Sequence, residues 1–447
     1  MKFKIPLLVL TFFALKLSAQ LPTNTLVGYH ENWYNIKLSE IHENYNVVCL
    51  AFAVAQGGST SNMKYDIPAG YSGTATQKKT EFMADIDALH AEGKRVILSI
   101  GGATSAISLT NDTKRDEFVT TINSILAEYN YKMDGIDLDF EGASLSFGST
   151  WTISSPAAGQ TRVIDAVKSI MSNYQTQTGK KMLLLMAPEV LYVQGGLSSW
   201  GVTNANGGAY LPIIDGLRNE LDLLSTQLYN TGGSAGGAFA WNGTIYYDAT
   251  PEFPLAMTET LIKGFTCVGG KGTFAGLPAS KLTFALPAST ANNSAGTGYL
   301  STTDVCNTSK YFKGEITKPV GYDYTMSTSY SDLRGLMTWS INEDSYATSG
   351  VYSFADNYPC AFPLNVTGIN TANGSNIGVG YPNPFVDQFT WSGEKTNVKV
   401  YDNKGAIVFS GVLNNTQKIG GNWNAVIYYI QVLDNNSVQH IKMVKSK

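Results

Sequence analysis

Charged residues are scarce in this chain of 447 residues, because Lys, Arg, Asp and Glu together make up 15% of it. The formal net charge is -4 and Lys and Arg form no long runs, so we expect no nucleic-acid partner. Hydrophobic residues reach 43%, which excludes general disorder and is enough for a packed core. The chain lacks an apolar run long enough to span a membrane.

Cysteine is also rare, and the chain has four: Cys49, Cys267, Cys306 and Cys360. None has CxxC spacing, so we expect no structural zinc site. Four cysteines allow three disulfide pairings, and the sequence does not choose among them. Cys49 lies in an apolar run, which favours a buried free thiol at that position.

The N-terminus has the features of a secretory signal peptide. Residues 1–4 contain two lysines, an apolar run follows over residues 7–17, and residues 17–19 offer small side chains for cleavage. The run is too short for a membrane span. We therefore predict a signal peptide over residues 1–19 and a soluble exported protein, with a buried N-terminal helix as the alternative.

Short apolar runs alternate with longer amphipathic segments over most of the chain. The apolar runs predict eight strands, over residues 26–29, 47–53, 95–100, 135–140, 182–187, 221–227, 282–286 and 335–339. Segments 79–90, 116–126 and 163–171 repeat apolar residues at intervals of three and four, as one face of a helix requires. This pattern predicts an α/β fold with a (β/α)8 TIM barrel, and a doubly wound open sheet is the alternative.

Polar side chains collect where the predicted strands end, which is where a barrel has its active site. Glu141 follows the fourth strand, Glu189 the fifth, and Tyr229 and Asn230 the sixth. The segment 29–33 follows the first strand, and we interpret its His30 and Glu31 as part of a solvated loop, with a second proton relay as the alternative.

Residues 134–142 read DGIDLDFEG and place four carboxylates in one apolar strand. Alternate residues of a barrel strand face the interior, so Asp137, Asp139 and Glu141 share one face at a spacing of about 7 Å. Three adjacent carboxylates cannot all stay charged cheaply, so at least one proton should be shared among them. Glu141, nearest the mouth, is then a candidate general acid, and Asp134, out of phase, is expected to be structural.

The segment DGIDLDFE matches the DxxDxDxE signature of glycoside hydrolase family 18, the chitinases and related enzymes. SIGG at residues 99–102 matches that family's SxGG motif at the end of the third strand. The chain resembles the family over residues 24–358. The resemblance implies a barrel that hydrolyses β-1,4 linkages between N-acetylglucosamine units of chitin or chitooligosaccharides, without a metal or cofactor.

The resemblance also implies roles for single residues in a retaining reaction assisted by the substrate's own acetamido group. Glu141 would protonate the glycosidic oxygen and then activate water, Asp139 would orient the acetamido N–H, and Asp137 would hydrogen-bond Asp139. Tyr229 would hold the acetamido carbonyl, and Trp339 would form the floor beneath the sugar. The other residues expected to bind substrate are Gln227, Met186, Tyr29, Phe52, Glu189, Asn230, Gly101 and Gly102.

Two other functions remain open at this point. An endo-β-N-acetylglucosaminidase acting on N-glycans shares the acetamido mechanism, although the full signature and Trp339 favour chitin. A non-catalytic chitin-binding lectin lacks the terminal Glu of the signature, whereas Glu141 is present. Some family members carry an extra α+β domain between strands seven and eight. Residues 287–334 are too few for it, so we expect an open cleft and endo cleavage.

The composition changes after Phe362. A polar stretch without periodicity predicts a linker over residues 363–376. Alternation with period two follows, which predicts a small all-β sandwich domain over residues 377–447, separate from a catalytic domain over residues 20–362.

Three segments of this last domain resemble a type IX secretion sorting domain of the Bacteroidetes: YPNPF at 381–385, VKVYDNKG at 398–405 and IKMVKSK at 441–447. A chitin-binding sandwich is the alternative, but such modules usually show a surface row of Trp, and only Trp391 and Trp423 are available. We therefore expect a monomer that the secretion machinery recognises and delivers outside the cell or to its surface, with removal of this domain after export.

Overall fold

The structure is a computed structural model that describes residues 20–204, 206–231, 237–289, 297–347, 350–362, 379–392, 395–402, 406–424, 427–434 and 437–445. The predicted signal peptide and linker lie outside the described residues. The chain divides into two compact units, Met1–Leu364 and Asn365–Lys447. Among the described residues, no helix is both long and apolar enough to span a membrane.

Eight parallel strands form the centre of the first unit. They are β1 (Thr25–Glu31), β2 (Val47–Ala55), β3 (Arg95–Gly101), β4 (Gly135–Asp139), β5 (Leu183–Met186), β6 (Leu223–Leu224), β7 (Thr283–Pro287) and β8 (Gly335–Trp339). Their hydrogen-bonded order is β7-β8-β1-β2-β3-β4-β5-β6. Single bridges from Leu224 to Leu282 and from Gln227 to Ala285 join β6 to β7. The nearly closed (β/α)8 barrel is thus confirmed, and the open doubly wound sheet is wrong.

Helices cover the outside of the barrel. They are α1 (Ala75–Ala91), α2 (Asp112–Glu128), α3 (Ala158–Thr178), α4 (Ser199–Asn204), α5 (Leu211–Gly216), α6 (Glu252–Lys263), α7 (Thr302–Lys313), α8 (Ile341–Ser345) and α9 (Ser353–Ala361). The first three contain the predicted amphipathic segments. Side-chain caps fix where α1 and α2 begin, because Thr74 accepts from the Gln77 amide and Asn111 from the Lys114 amide.

Short strands that the sequence analysis did not predict lie between these elements. Met63–Tyr65 pairs antiparallel with β2. Two hairpins follow β6, one from Gly237–Phe239 and Ile245–Tyr247, the other from Phe265–Cys267 and Gly272–Phe274. These strands have only three residues each, too few for alternation to be read from the sequence.

Alternation along β4 separates two environments. Ile136 and Leu138 belong to the core between strands and helices, whereas Asp137 and Asp139 face the barrel interior. At the start of the strand, the carboxylate of Asp134 accepts from the Val96 amide at 2.9 Å and lies 2.8 Å from His90 Nε2. The structural role predicted for Asp134 is therefore confirmed.

The second unit consists of antiparallel sheets. One contains Val379–Tyr381, Phe389–Ser392 and Lys418–Ile419, and the other contains Ile407–Leu413, Thr396–Asp402, Ile427–Asp434 and Ser437–Val444. Trp391 is fully buried in the core of this unit, and Trp423 packs against that core. Neither tryptophan therefore stands free on the surface as a chitin-binding platform would require.

The first and last motifs of this unit contact each other. The Val444 amide donates to Asn383 Oδ1 at 2.8 Å, and the Phe385 amide donates to the Val444 carbonyl at 2.9 Å. The Lys445 ammonium donates to three backbone carbonyls at 2.7–3.1 Å and lies 5.7 Å from the centre of the Phe385 ring. The first and last of the three segments that carry the sorting-domain resemblance, 381–385 and 441–447, therefore pack against each other.

The structure settles the state of the four cysteines. A disulfide joins Cys306 on α7 to Cys360 on α9. Cys49 is buried and free, as the sequence predicted, and Cys267 is also buried and free. The pairing could not be chosen from spacing because it depends on how two outer helices pack.

Removing the disulfide should destabilise the barrel. The Cys306→Ser, Cys360→Ser double variant frees a loop of 54 residues in the unfolded chain, so we expect the free energy of unfolding to fall by about 2–4 kcal/mol. Urea unfolding followed by circular dichroism measures the change. Reductant should bring the wild type to the variant's midpoint and leave the variant unchanged, and equal midpoints for the oxidised wild type and the variant would contradict this.

Candidate active site

The carboxyl ends of the strands surround a cavity of about 410 Å³. Seven of the predicted site residues line it: Phe52, Asp139, Glu141, Gln227, Tyr229, Asn230 and Trp339. Six lining residues were not predicted: Asn32, Trp33, Val54, Asp66, Ala103 and Thr104. The remaining predicted residues lie behind this wall, and the structure shows what each of them contacts.

Gln227 links the two outer acids of β4. Its Nε2 donates to Asp139 Oδ1 at 2.9 Å, to Glu141 Oε1 at 3.2 Å and to the Ala187 carbonyl at 3.0 Å. The carboxyl groups of Asp139 and Glu141 are also hydrogen-bonded to each other. Asp139 is 2% exposed, and Glu141 is half-buried at the mouth of the cavity. The side-chain amide of Gln227 therefore orients both carboxyl groups at the cavity wall.

Asp137 is bonded differently from what the family resemblance implied. Its Oδ2 accepts from the Tyr29 hydroxyl at 2.8 Å and from the Ser99 hydroxyl at 2.6 Å, while its Oδ1 has no partner among the described residues. The expected hydrogen bond from Asp137 to Asp139 is therefore wrong. Donors from β1 and β3 hold Asp137 at the bottom of the site, and Asp139 turns toward Glu141 instead.

Burial raises the pKa of all three acids. For Asp137 it raises the pKa to about 6, against the lowering effect of the hydrogen bonds from Ser99 and Tyr29. Burial, followed by the charges of Glu141 and Asp137, raises the pKa of Asp139 well above its usual value. Burial, followed by the negative charge of Glu189, raises the pKa of Glu141 to about 7. The cluster can therefore retain a proton near neutral pH.

Gly101 and Gly102 leave room for the acids. A Cβ on Gly101 would lie 2.1 Å from the Asp139 carbonyl oxygen, and a Cβ on Gly102 would lie 2.7 Å from the Phe52 ring. Both have positive φ, at 127° and 81°. The Gly102 amide donates to the Asp139 carbonyl at 2.8 Å. These glycines therefore act through backbone geometry.

Aromatic rings form one wall of the cavity. Trp339 stacks on Phe52 with ring centroids 5.6 Å apart and planes 11° apart, and Tyr29 packs 5.7 Å from Trp339. Cis peptide bonds join Ala51 to Phe52 and Trp339 to Ser340. Trp33 lies 6.3 Å from Trp339 and is 54% exposed. Its place just after β1 was the available signal, but sequence reasoning gave it no role.

The interpretation of His30 and Glu31 as a solvated loop is wrong. Both are buried in β1, which extends because Glu31 pairs with Ala51 of β2 and its amide donates to Asn342 Oδ1. The Ser340 hydroxyl donates to the Glu31 carboxyl, and burial raises the pKa of Glu31 to about 7. Neither residue lines the cavity.

Met186 and Glu189 also lie outside the cavity wall. Met186 is fully buried in the core between strands and helices. The Oε2 atom of Glu189 lies 3.4 Å from the Gly142 amide that donates to it. Glu189 therefore contacts the turn that follows Glu141. Among the described residues, no cluster of His, Cys, Asp and Glu could hold a metal ion.

Adding a methyl group at Gly101 should displace the acids. In Gly101→Ala the Cβ must push the Asp139 backbone away, and a misplacement of about 1 Å lowers kcat/KM by about 100-fold. Hydrolysis of soluble chitooligosaccharides, the substrate class that the sequence resemblance implies, measures this change, with thermal unfolding measured alongside. Gly58→Ala is the matched control, since Gly58 also has positive φ, at 72°, but its Cβ would meet nothing within 4 Å. A folded Gly101→Ala protein with wild-type kcat/KM would contradict the argument.

The sequence matches the family described as Glycosyl hydrolases family 18 over residues 25–359, and a secretion system C-terminal sorting domain over residues 380–446. It is 36% identical over 337 residues to chitinase Chi52 of Paenibacillus xylanexedens, covering 73% of this chain and 60% of that one. It is 35% identical over 361 residues to chitinase ChiA of Flavobacterium johnsoniae, covering 76% of this chain and 22% of that one.

A solved structure gives the same picture of the barrel. The crystal structure of a family GH18 chitinase from Chromobacterium violaceum superposes with a TM-score of 0.64 at 30% identity, covering 76% of this chain and 84% of that one. The match to the curated relatives above spans 60% of the length of one and 22% of the other. Both relatives are therefore longer than the region they share with this chain.

Proposed function

This chain belongs to family 18 of the glycosyl hydrolases, and we propose that it is a secreted chitinase. It would cleave β-1,4 linkages between N-acetylglucosamine units by a retaining reaction in which the substrate's acetamido group takes part. The observation that carries the proposal is the Asp139–Glu141 pair, held by Gln227 at the cavity. The relatives named as chitinases support the choice of substrate.

Glu141 supplies the proton in this proposal. Its half-buried carboxyl lines the cavity, and its pKa of about 7 keeps it protonated under mildly acidic conditions. It would protonate the glycosidic oxygen, and as a carboxylate it would then take a proton from the attacking water. Asp139, bonded to Glu141, lies where it could orient the acetamido N–H and balance positive charge at the sugar.

The sugar itself supplies the nucleophile. The acetamido oxygen would attack the anomeric carbon and form an oxazolinium ion. Burial raises the pKa of Tyr229 well above its usual value, so its hydroxyl stays protonated and can donate to the acetamido carbonyl. The exposed face of Trp339, supported by its stack with Phe52, would form the apolar floor beneath the ring.

Secretion is the second part of the proposal. The sorting domain over residues 380–446 supports recognition by a type IX secretion machinery. We infer from the sequence features of residues 1–19 that a signal peptide first takes the chain across the inner membrane.

Replacing the proton donor tests the function. Glu141→Gln should lower kcat on chitotetraose by about 1,000-fold while calorimetry still detects binding, because the amide keeps the shape and loses the proton. Wild-type kcat/KM should fall as pH rises through about 7, where Glu141 loses its proton. A high-mannose glycopeptide is the competing substrate. Hydrolysis of the glycopeptide alone would favour the endo-β-N-acetylglucosaminidase, and hydrolysis of neither would favour the lectin.

The cleft geometry supports endo cleavage. Between β7 and β8 the described residues contain one α-helix, α7, and no additional α+β domain. An open cleft lets an enzyme bind a chain anywhere along its length, so soluble long chitooligosaccharides should give products of mixed length from the first turnovers. Chromatography of early products measures this, and dimer as the main first product would contradict endo action.

A further inference from the structure

Glu189 stands beside the general acid without facing the cavity. It follows β5, is half-buried, and is absent from the residues that line the cavity wall. Its Oε2 accepts from the amide of Gly142, the residue that follows Glu141, at 3.4 Å. Its carboxylate therefore contacts the backbone of the residue that follows the proton donor, and this contact does not involve the cavity.

The backbone fixes this position. Glu189 forms a parallel bridge with Gln227, whose amide donates to the Pro188 carbonyl at 2.9 Å. The side chain of the same Gln227 donates to the Ala187 carbonyl and to Glu141. Backbone contacts with segment 187–189 thus fix the position of the Gln227 side-chain amide, and the same segment carries the Glu189 carboxylate. The distance between these two groups therefore does not depend on a long flexible loop.

The charges around Glu141 are all of one sign. Asp139 on β4 and Glu189 after β5 face it, and the more distant Asp137 lies below. The neutral groups around it include Gln227 and the hydroxyls of Tyr192, Tyr210 and Tyr229. In the part of the chain that the structure describes, no ion pair includes Glu189 or Glu141. After burial, the negative charge of Glu189 is the largest contribution that raises the pKa of Glu141.

We propose that Glu189 is a positioning residue that keeps the proton on Glu141 until the glycosidic oxygen takes it. The inference rests on the proposed function and differs from the sugar contact that the sequence predicted for Glu189. In the first step the Glu141 O–H bond breaks, the leaving oxygen gains the proton, the C1–O bond breaks and the acetamido oxygen bonds to C1. In the second step Glu141 takes a proton from water as the water oxygen bonds to C1 and the oxazolinium ring opens. The Glu189 charge favours that return of the proton.

Glu189→Gln tests the proposal through the pH dependence of kcat/KM on chitotetraose. Without the negative charge of Glu189, Glu141 should lose its proton at lower pH. The alkaline limb of the pH profile of kcat/KM should therefore shift to lower pH. We expect kcat/KM to fall between pH 5.5 and pH 8 by about threefold more in the variant than in the wild type. Glu189→Asp keeps the charge and should keep most of the wild-type limb.

An acid remote from the cavity provides a matched control. Glu92 follows α1, does not line the cavity and is paired with the Lys94 ammonium at 2.8 Å, so Glu92→Gln makes the same chemical change without altering the site. Its alkaline limb should stay at the wild-type pH. If Glu189→Gln instead raises KM for chitotetraose and leaves the limb in place, Glu189 contacts the sugar and the proposal is overturned.

A measurement that needs no hydrolysis separates this inference from the proposed function. The protein is labelled with carboxyl-¹³C Glu and its carboxyl signals are followed by NMR as the pH changes. The Glu141 signal is identified as the one that is missing from the spectrum of Glu141→Gln. Its titration midpoint should be lower in Glu189→Gln than in the wild type, and equal midpoints would overturn the inference. A wild type that cannot hydrolyse chitotetraose would refute the proposed function, and the titration would still test the role of Glu189.

Discussion

Burial of carboxylates inside the barrel is the constraint on which the rest of the site depends. Asp137 and Asp139 are 1% and 2% exposed on a strand whose other residues pack against helices. Carboxylates removed from water need donors, or they keep a proton. Two hydroxyls serve Asp137, and one amide serves both Asp139 and Glu141. Asp137, the deepest acid, accepts two hydrogen bonds that favour its charged form. Asp139 and Glu141 share one donor, so they bind a proton more strongly than Asp137 does.

The strands beside β4 make that arrangement possible. Gly101 allows β3 to approach the Asp139 carbonyl, and a Cβ on Gly135 would lie 2.3 Å from the Leu183 carbonyl of β5. Close approach on both sides brings Ser99, Gln227 and Glu189 within reach of the acids. The acidic strand is therefore one part of a site built from seven strands and the segments that follow them.

Sequence reasoning succeeded where side-chain direction follows directly from a repeat. Period two along residues 135–140 placed Asp137 and Asp139 on the interior face, and the alternation of apolar runs with amphipathic segments predicted the barrel. It failed where the outcome depends on partners distant in the chain. The Asp137 bond is decided by Tyr29, and the burial of Glu31 by its pairing with β2. The disulfide and the three-residue strands carry no periodic signal either.

Among the described residues, β6 and β7 are joined by two single bridges, whereas the ladders that join β1 to β2, β7 to β8 and β3 to β4 have five residue pairs each. One of those bridges is made by Gln227. Backbone pairing is therefore sparse along the side of the barrel that carries Gln227 and Tyr229. A sugar held between Tyr229 and Trp339 would contact the strands on both sides of this junction. Ligand binding would therefore stabilise the barrel where its strands share the fewest backbone pairs.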